Sequence, residues 1–153
     1  MSSSVIAGLS CLRIGSPRLF YCLADEGLDI WRRHPGDRSL AAVAPEYNYG
    51  PSAVLKNAID WVYPEWNRKA AGFVSYGSAM GARSVQQLRE TAIELQLAPI
   101  RSSVHIPVAT LWAHYQGGDV DAGLAELEAP AGTLIDDLLW WTAALKTARA
   151  SAS

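Results

Sequence analysis

Ala44-Pro45-Glu46-Tyr47-Asn48-Tyr49-Gly50-Pro51-Ser52-Ala53-Val54-Leu55-Lys56-Asn57-Ala58-Ile59-Asp60-Trp61-Val62-Tyr63-Pro64-Glu65-Trp66 is the stretch whose reading decides the fold. The apolar run Leu40 to Ala44 leads into it as a strand and is expected to stop at Pro45. Pro45 to Gly50 reads as a loop of turn formers and aromatic side chains. Pro51 suits the first position of a helix, where its fixed φ is helical and its missing N–H has no partner to lose. Val54, Leu55, Ala58, Ile59 and Val62 then recur at helical spacing. Pro64 ends the helix near Tyr63, because the residue before a proline is pushed out of the helical region. Strand, tight loop and helix follow one another, and in open α/β sheets ligands bind at such carboxyl-terminal strand ends.

Working outward, Ala70 to Tyr76 reads as a buried strand running into the small-residue loop Gly77-Ser78-Ala79-Met80-Gly81. A helix follows from about Ala82, with Val85, Leu88, Ala92, Ile93 and Leu95 on one face, and Pro99 beyond its end. Ser102 to Ile106 reads as the next strand, stopped by Pro107. Strands alternating with helices predict an α/β fold with a parallel sheet covered on both faces. Val108 to Gly132 reads as a long excursion carrying Trp112, His114 and Tyr115. Thr133 to Arg149 reads as a terminal helix, with Thr133 as N-cap, Asp136 completing an acidic capping box, and Leu134, Leu138, Trp141 and Leu145 along one face. Trp140 and Trp141 are adjacent and point to different sides: one is expected in the core, the other at a subunit contact.

Upstream, Val5 to Ile14 has the composition of a strand, Gly15-Ser16-Pro17-Arg18 follows it, and Leu19 to Ile30 fits a short helix weakened by Gly27. Arg32 to Arg38 is a charged loop. The chain reads as one domain over 1–153, with a divergent part at 1–39 and a regular part at 40–150.

Composition narrows the function. Half of the 153 residues are apolar and 18% are charged, which supports one soluble domain with a core. A formal charge of −2 gives no basic footprint for nucleic acid. No apolar run approaches the ~20 residues of a membrane helix, and the first residues do not have the form of a secretory signal. Cys11 and Cys22 lack metal spacing and read as reduced thiols, so a cytoplasmic protein is expected. His34, His105 and His114 are scattered, so no metal site is expected, and His105, alternating with Val104 and Ile106, reads as an ordinary strand residue. Lys56 and Asp60, four apart on a helix, read as a surface pair. Ser75 and Ser78 lack the G-x-S-x-G context of a hydrolase nucleophile.

The loop at Pro45 to Gly50 offers an acid, two tyrosines and an asparagine at a strand end, and the loop at Ser75 to Gly81 offers a backbone that a ligand can approach closely. Side by side, they make a crevice for a flat heteroaromatic ligand. P-E-Y-N-Y-G followed by L-K-N-A-I-D-W, with F-V-S-Y-G-S-A-M-G-A-R-S-V-Q-Q-L-R beyond it, resembles the NADPH-dependent FMN reductase family of flavodoxin-like flavin and quinone reductases. The likeness extends from Ala44 to Arg149. It implies a flavodoxin-like three-layer sandwich with a parallel sheet, incomplete in its N-terminal part. It implies bound FMN, with NADPH or NADH as hydride donor and a quinone, a flavin or a similar small molecule as electron acceptor. Pro45, Glu46, Tyr47 and Asn48 match the loop that holds the isoalloxazine ring, and Tyr76, Gly77 and Ser78 match the neighbouring loop. Gly15-Ser16-Pro17-Arg18 fits the family's G-S-x-R phosphate motif, which places Ser16 and Arg18 at the cofactor phosphate. The resemblance names no catalytic acid or base, since the cofactor carries the chemistry. It implies a homodimer or homotetramer. Between Arg18 and Pro45 there is room for no more than one β–α–β unit, which takes about 30 residues, whereas the family places a helix, a strand and a further helix there. A non-catalytic, dimer-forming remnant with weak or no FMN binding is therefore the alternative.

Overall fold

The computed structural model describes residues 39–151. Gly15, Ser16, Arg18, the two cysteines and the elements expected upstream of residue 39 lie outside the described residues.

The sheet is built on β1 (Leu40–Tyr47), β3 (Ala70–Tyr76) and β4 (Ala98–His105), parallel to one another. The two-residue β2 (Gly50–Pro51) folds back antiparallel on the tip of β1, giving the order β2-β1-β3-β4. Side chains alternate across the sheet, as the strand period requires. Leu40, Ala42 and Ala44 of β1 and Ala71 and Phe73 of β3 face α1 (Ala53–Asp60) and α2 (Ala82–Glu94). Ala41, Ala70, Val74, Ile100 and Val104 face the other way, against Ala131, Leu134 and Leu138 of the long helix α5 (Glu128–Ala150). Helix, sheet and helix stack in three layers, the α/β sandwich of flavodoxin type. The alanine-rich β1 is buried on both faces, and its small side chains let helices lie close on either side.

Several boundaries differ from the sequence reading for local reasons. β1 does not stop at Pro45 but runs on to Tyr47, with Pro45 paired in register with Tyr76. Asn48 (φ 50°) and Tyr49 (φ 72°) form the two-residue connection to β2. Positive φ at both positions is the signature of a type I′ hairpin, whose twist matches that of the strands. Pro51 is therefore in β2 rather than in the helix. Ser52 is the N-cap, its Oγ accepting from Leu55 N at 3.2 Å. α1 stops at Asp60 rather than near Tyr63. The buried Trp66 indole donates to Ile59 O at 2.9 Å and closes that helix end.

β4 begins at Ala98, so Pro99 lies in a strand and not after a helix. β4 is the outermost strand of the described sheet, where a proline costs no central ladder bond. The excursion after Pro107 contains α3 (Val108–Tyr115) and α4 (Asp121–Ala125). The capping box at Thr133 does not form. α5 starts a turn and a half earlier with Leu127 as N-cap, and Thr133 instead donates its hydroxyl to Ala129 O at 3.2 Å. Pro130 is accommodated in the first turn, where backbone N–H groups have no intrahelical acceptor. Trp140 and Trp141 both face solvent, 65% and 42% exposed, and pack edge to face on each other at 5.3 Å. Neither is in the core.

Candidate functional site

The carboxyl ends of β1 and β3 are adjacent, so the loops that follow them are neighbours. Glu46 joins the two. Its side chain is only 3% exposed. One carboxylate oxygen accepts from the backbone N–H of Arg83 at 3.1 Å, within the first turn of α2, where unpaired amides and the helix dipole favour an anion. The other oxygen is held by the Arg83 guanidinium. That guanidinium also lies 3.8 Å from the centre of the Tyr49 ring, and Gln87 donates to Tyr49 O at 2.8 Å. The β1 hairpin is thus fastened to the start of α2 by a charge pair, a cation–π contact and a side-chain hydrogen bond. Gly77 (φ 146°) lets β3 turn against this brace: a Cβ there would stand 3.0 Å from the Cβ of Glu46. Tyr47 and Tyr49 at the hairpin tip are 58% and 67% exposed; the Tyr47 ring is an open flat surface, while Tyr49 has one face against Arg83.

The second loop winds tightly back into α2. Met80 N donates to Gly77 O at 2.9 Å and Ala82 N to Ala79 O at 3.1 Å. Met80 (φ 54°) and Gly81 (φ 77°) are both left-handed. Among the described residues, the amide N–H groups of Gly77, Ser78 and Ala79 meet no acceptor. Ser78 is exposed, and Gly77 and Ala79 are partly so. Successive free amides at a strand end form a concave set of donors suited to an electron-rich ligand edge.

Beneath this loop, the fully buried Ser75 places its Oγ 2.8 Å from Met80 O and 2.8 Å from His105 Nδ1. His105 Nε2 lies 2.8 Å from Ser103 Oγ. The contact resembles a nucleophile–base dyad, but Ser75 is 0% exposed and committed to the loop carbonyl, so no substrate reaches it. Ser78, which is exposed, has no histidine partner among the described residues.

Of the residues expected from the sequence, Pro45, Glu46, Tyr47 and Asn48 converge with Tyr76, Gly77 and Ser78 at this one edge. Their side chains are used unequally. Glu46 is turned to Arg83, and Tyr76 packs with the cluster under α5, so both present chiefly backbone to the crevice. Arg83, Gln87 and the Ser75–His105 pair were not anticipated. For Arg83 a signal existed: a cation in the first turn of a helix opposes the dipole and needs an acid nearby. Lys56 and Asp60 form the expected exposed pair at 2.8 Å.

An open parallel sheet covered on both faces, with two braced loops at its carboxyl edge, defines an α/β protein of the flavodoxin-like class. Residues 40–110 match the model of the family described as NADPH-dependent FMN reductase. It is 46% identical over 70 residues to an NAD(P)H-dependent FMN reductase of Saccharomyces cerevisiae, covering 45% of this chain and 37% of that protein. It is 45% identical over 58 residues to an NAD(P)H:quinone oxidoreductase of Solanum tuberosum, covering 35% and 30%. Among solved structures, the flavoenzyme NAD(P)H:(acceptor) oxidoreductase FerB of Paracoccus denitrificans aligns over 67% of this chain and 60% of its own, with a TM-score of 0.49 and 20% identity. The matched region spans about a third of the length of the curated relatives.

Proposed function

We propose that the chain binds FMN and acts as an NAD(P)H-dependent FMN reductase, with a quinone, a flavin or a similar small molecule as acceptor. The observation that carries this reading is the set of free N–H groups at Gly77, Ser78 and Ala79 beside the braced, tyrosine-bearing hairpin. An isoalloxazine has carbonyl and ring-nitrogen acceptors along one edge and a flat face, and this crevice offers donors for the edge and aromatic surface for the face. Gly77, Ser78 and the backbone of Tyr76 would hold the ring edge. Pro45, Glu46, Tyr47 and Asn48 would form the facing wall, with Glu46 keeping the wall in place through Arg83. When bound, FMN supplies two-electron chemistry, taking a hydride from NAD(P)H and giving it to the acceptor. The protein contributes position, a fixed array of dipoles and partial exclusion of water, and none of its side chains is assigned a proton-transfer role.

In the same reading, Ser16 and Arg18 hold the FMN phosphate, the chain works in the cytoplasm, and two or four copies associate. Among the described residues, no helix is long and apolar enough to cross a membrane. The exposed Trp140 and Trp141 are a natural place for a subunit contact. Titrating the purified full chain into FMN tests the reading: flavin fluorescence should quench and saturate at one FMN per chain, and the loaded protein should oxidise NADPH or NADH beyond one equivalent of its flavin only when an acceptor is present. Protein that leaves FMN fluorescence unchanged sinks it in favour of the non-catalytic remnant. Sedimentation velocity reads the association state, and cell fractionation the location.

A further inference from the structure

The loop that carries the free donors is itself held from below, and the proton bookkeeping there admits one consistent arrangement. Met80 O can only accept. It lies 2.8 Å from Ser75 Oγ and 3.2 Å from His105 Nδ1. If Ser75 gave its proton to a bare His105 Nδ1, the ring lone pair would be engaged while Met80 O faced it with no donor at all. With the proton on Nδ1, Ser75 donates to Met80 O and Nδ1–H donates to Ser75 Oγ at 2.8 Å. His105 Nε2 then carries the lone pair and accepts from Ser103 at 2.8 Å. Ser103 Oγ in turn has the Arg89 guanidinium 3.4 Å away. Arg89 is fixed by Arg101 O at 2.6 Å. The chain runs in one direction, Arg89 to Ser103 to His105 to Ser75 to Met80 O, each member donating to the next. Such relays polarise their members and strengthen one another. Protonating the other ring nitrogen would reverse the Ser103 bond and set an imidazolium beside Arg89.

The end of this relay is the carbonyl of Met80, a non-glycine residue in the left-handed region. Left-handed backbone at such a residue is strained and persists where something over-determines it. Bound to Ser75, that carbonyl ties down the loop whose preceding amides, at Gly77, Ser78 and Ala79, meet no acceptor among the described residues. We propose that His105, in its Nδ1–H form, is a positioning residue for the cofactor: through Ser75 it locks the Met80 carbonyl and so holds the donor loop ready for the flavin ring edge. This rests on the FMN reading for its ligand but not for its structural content, and the two are tested separately.

On the full chain without added flavin, long-range proton–nitrogen NMR at pH 8 should show His105 protonated at Nδ1, the less common neutral tautomer. Amide exchange should show protection at Met80 and Ala82, whose N–H groups close the loop. In His105→Phe that protection should fall about tenfold, and in His105→Asn, which keeps a donor near the Nδ1 position, it should return to within about threefold of the parent, the scale of one hydrogen bond. With FMN as the probe, the Phe variant should bind about tenfold more weakly and the Asn variant within about threefold. Nδ1 found unprotonated, unchanged protection in the Phe variant, or equal losses in both variants overturns the proposal. Should the Phe variant not fold, the tautomer and the Asn variant decide. If the parent chain itself ignores FMN, the cofactor reading fails while the tautomer and exchange data still judge the relay.

Discussion

Glu46 is the residue on which the two loops depend, and its pairing has a measurable asymmetry. Its carboxylate is nearly buried, whereas the Arg83 side chain is 33% exposed. Removing the acid leaves a cation that water can still solvate. Removing the cation leaves an acid held mainly by one backbone N–H. Stranding a buried charge costs about 3–5 kcal/mol, whereas loosening an exposed one costs about 1. Arg83→Ala should therefore destabilise the fold by about 3 kcal/mol and Glu46→Ala by about half as much. Urea denaturation of the two variants checks this, and the reverse order would show that the brace is not electrostatic. Ser84 is a contrasting case in the same helix turn. Its hydroxyl is fully buried and has no hydrogen-bond partner among the described residues. A buried hydroxyl without a partner contributes a desolvation cost and no compensating bond. Ser84→Ala should thus leave the denaturation midpoint unchanged or raise it by an amount worth about 1 kcal/mol. A clear drop would reveal a partner for this oxygen.

At the scale of elements, the loop-to-helix junction of α2 is set by glycine in two separable ways. Gly81 sits at φ 77° and is also crowded: a Cβ there would stand 2.5 Å from the Ser75 Cβ and 2.7 Å from Tyr76 N. Gly117 has a similar φ of 69° but open space around it. Gly117→Ala should cost only the left-handed strain, roughly 1 kcal/mol. Gly81→Ala adds a clash with backbone and should cost more than about 3 kcal/mol. Equal costs by thermal denaturation would mean that the junction yields more easily than its packing indicates. The same contrast explains what was legible in the sequence. Ala70 to Tyr76 and the helix from Ala82 were readable because their apolar period is set by the sheet and helix they bury. The hairpin at Asn48-Tyr49 was not, since tyrosine rarely occupies a left-handed position and the Arg83 and Gln87 contacts that stabilise it come from a helix over thirty residues away. Thr133 is not a cap because α5 already begins at Glu128, with Pro130 tolerated in its first turn. Its hydroxyl simply bonds back to Ala129 O, as serine and threonine do inside helices. The sequence placed the strand-end loops together but could not reveal the relay beneath them. Ser75, His105 and Arg89 come from three different elements, and only the register of β3 against β4 brings Ser75 level with His105.

For the molecule as a whole, the residues from 39 to 151 account for only one end of the proposed ligand. The braced hairpin and the donor loop address a ring, and neither carries a cation placed for a phosphate: Arg83 is committed to Glu46 and stacked on Tyr49. In the proposed reading the phosphate is met by Ser16 and Arg18, which lie outside the described residues. FMN and riboflavin share the ring and differ in the phosphate, so they separate the two ends of the site. A charge-assisted hydrogen bond from Arg18 is worth about 1.5–3 kcal/mol, so Arg18→Ala should weaken FMN binding by about ten- to a hundredfold and leave riboflavin binding unchanged. Replacing Tyr47 by Ala should weaken both ligands alike, because it removes surface from the ring wall alone. Isothermal titration of each variant with both ligands reads the result. Equal loss of FMN and riboflavin in Arg18→Ala would take Arg18 away from the phosphate. FMN bound no more tightly than riboflavin by the parent chain would mean that this fold holds the ring and has no phosphate anchor at all.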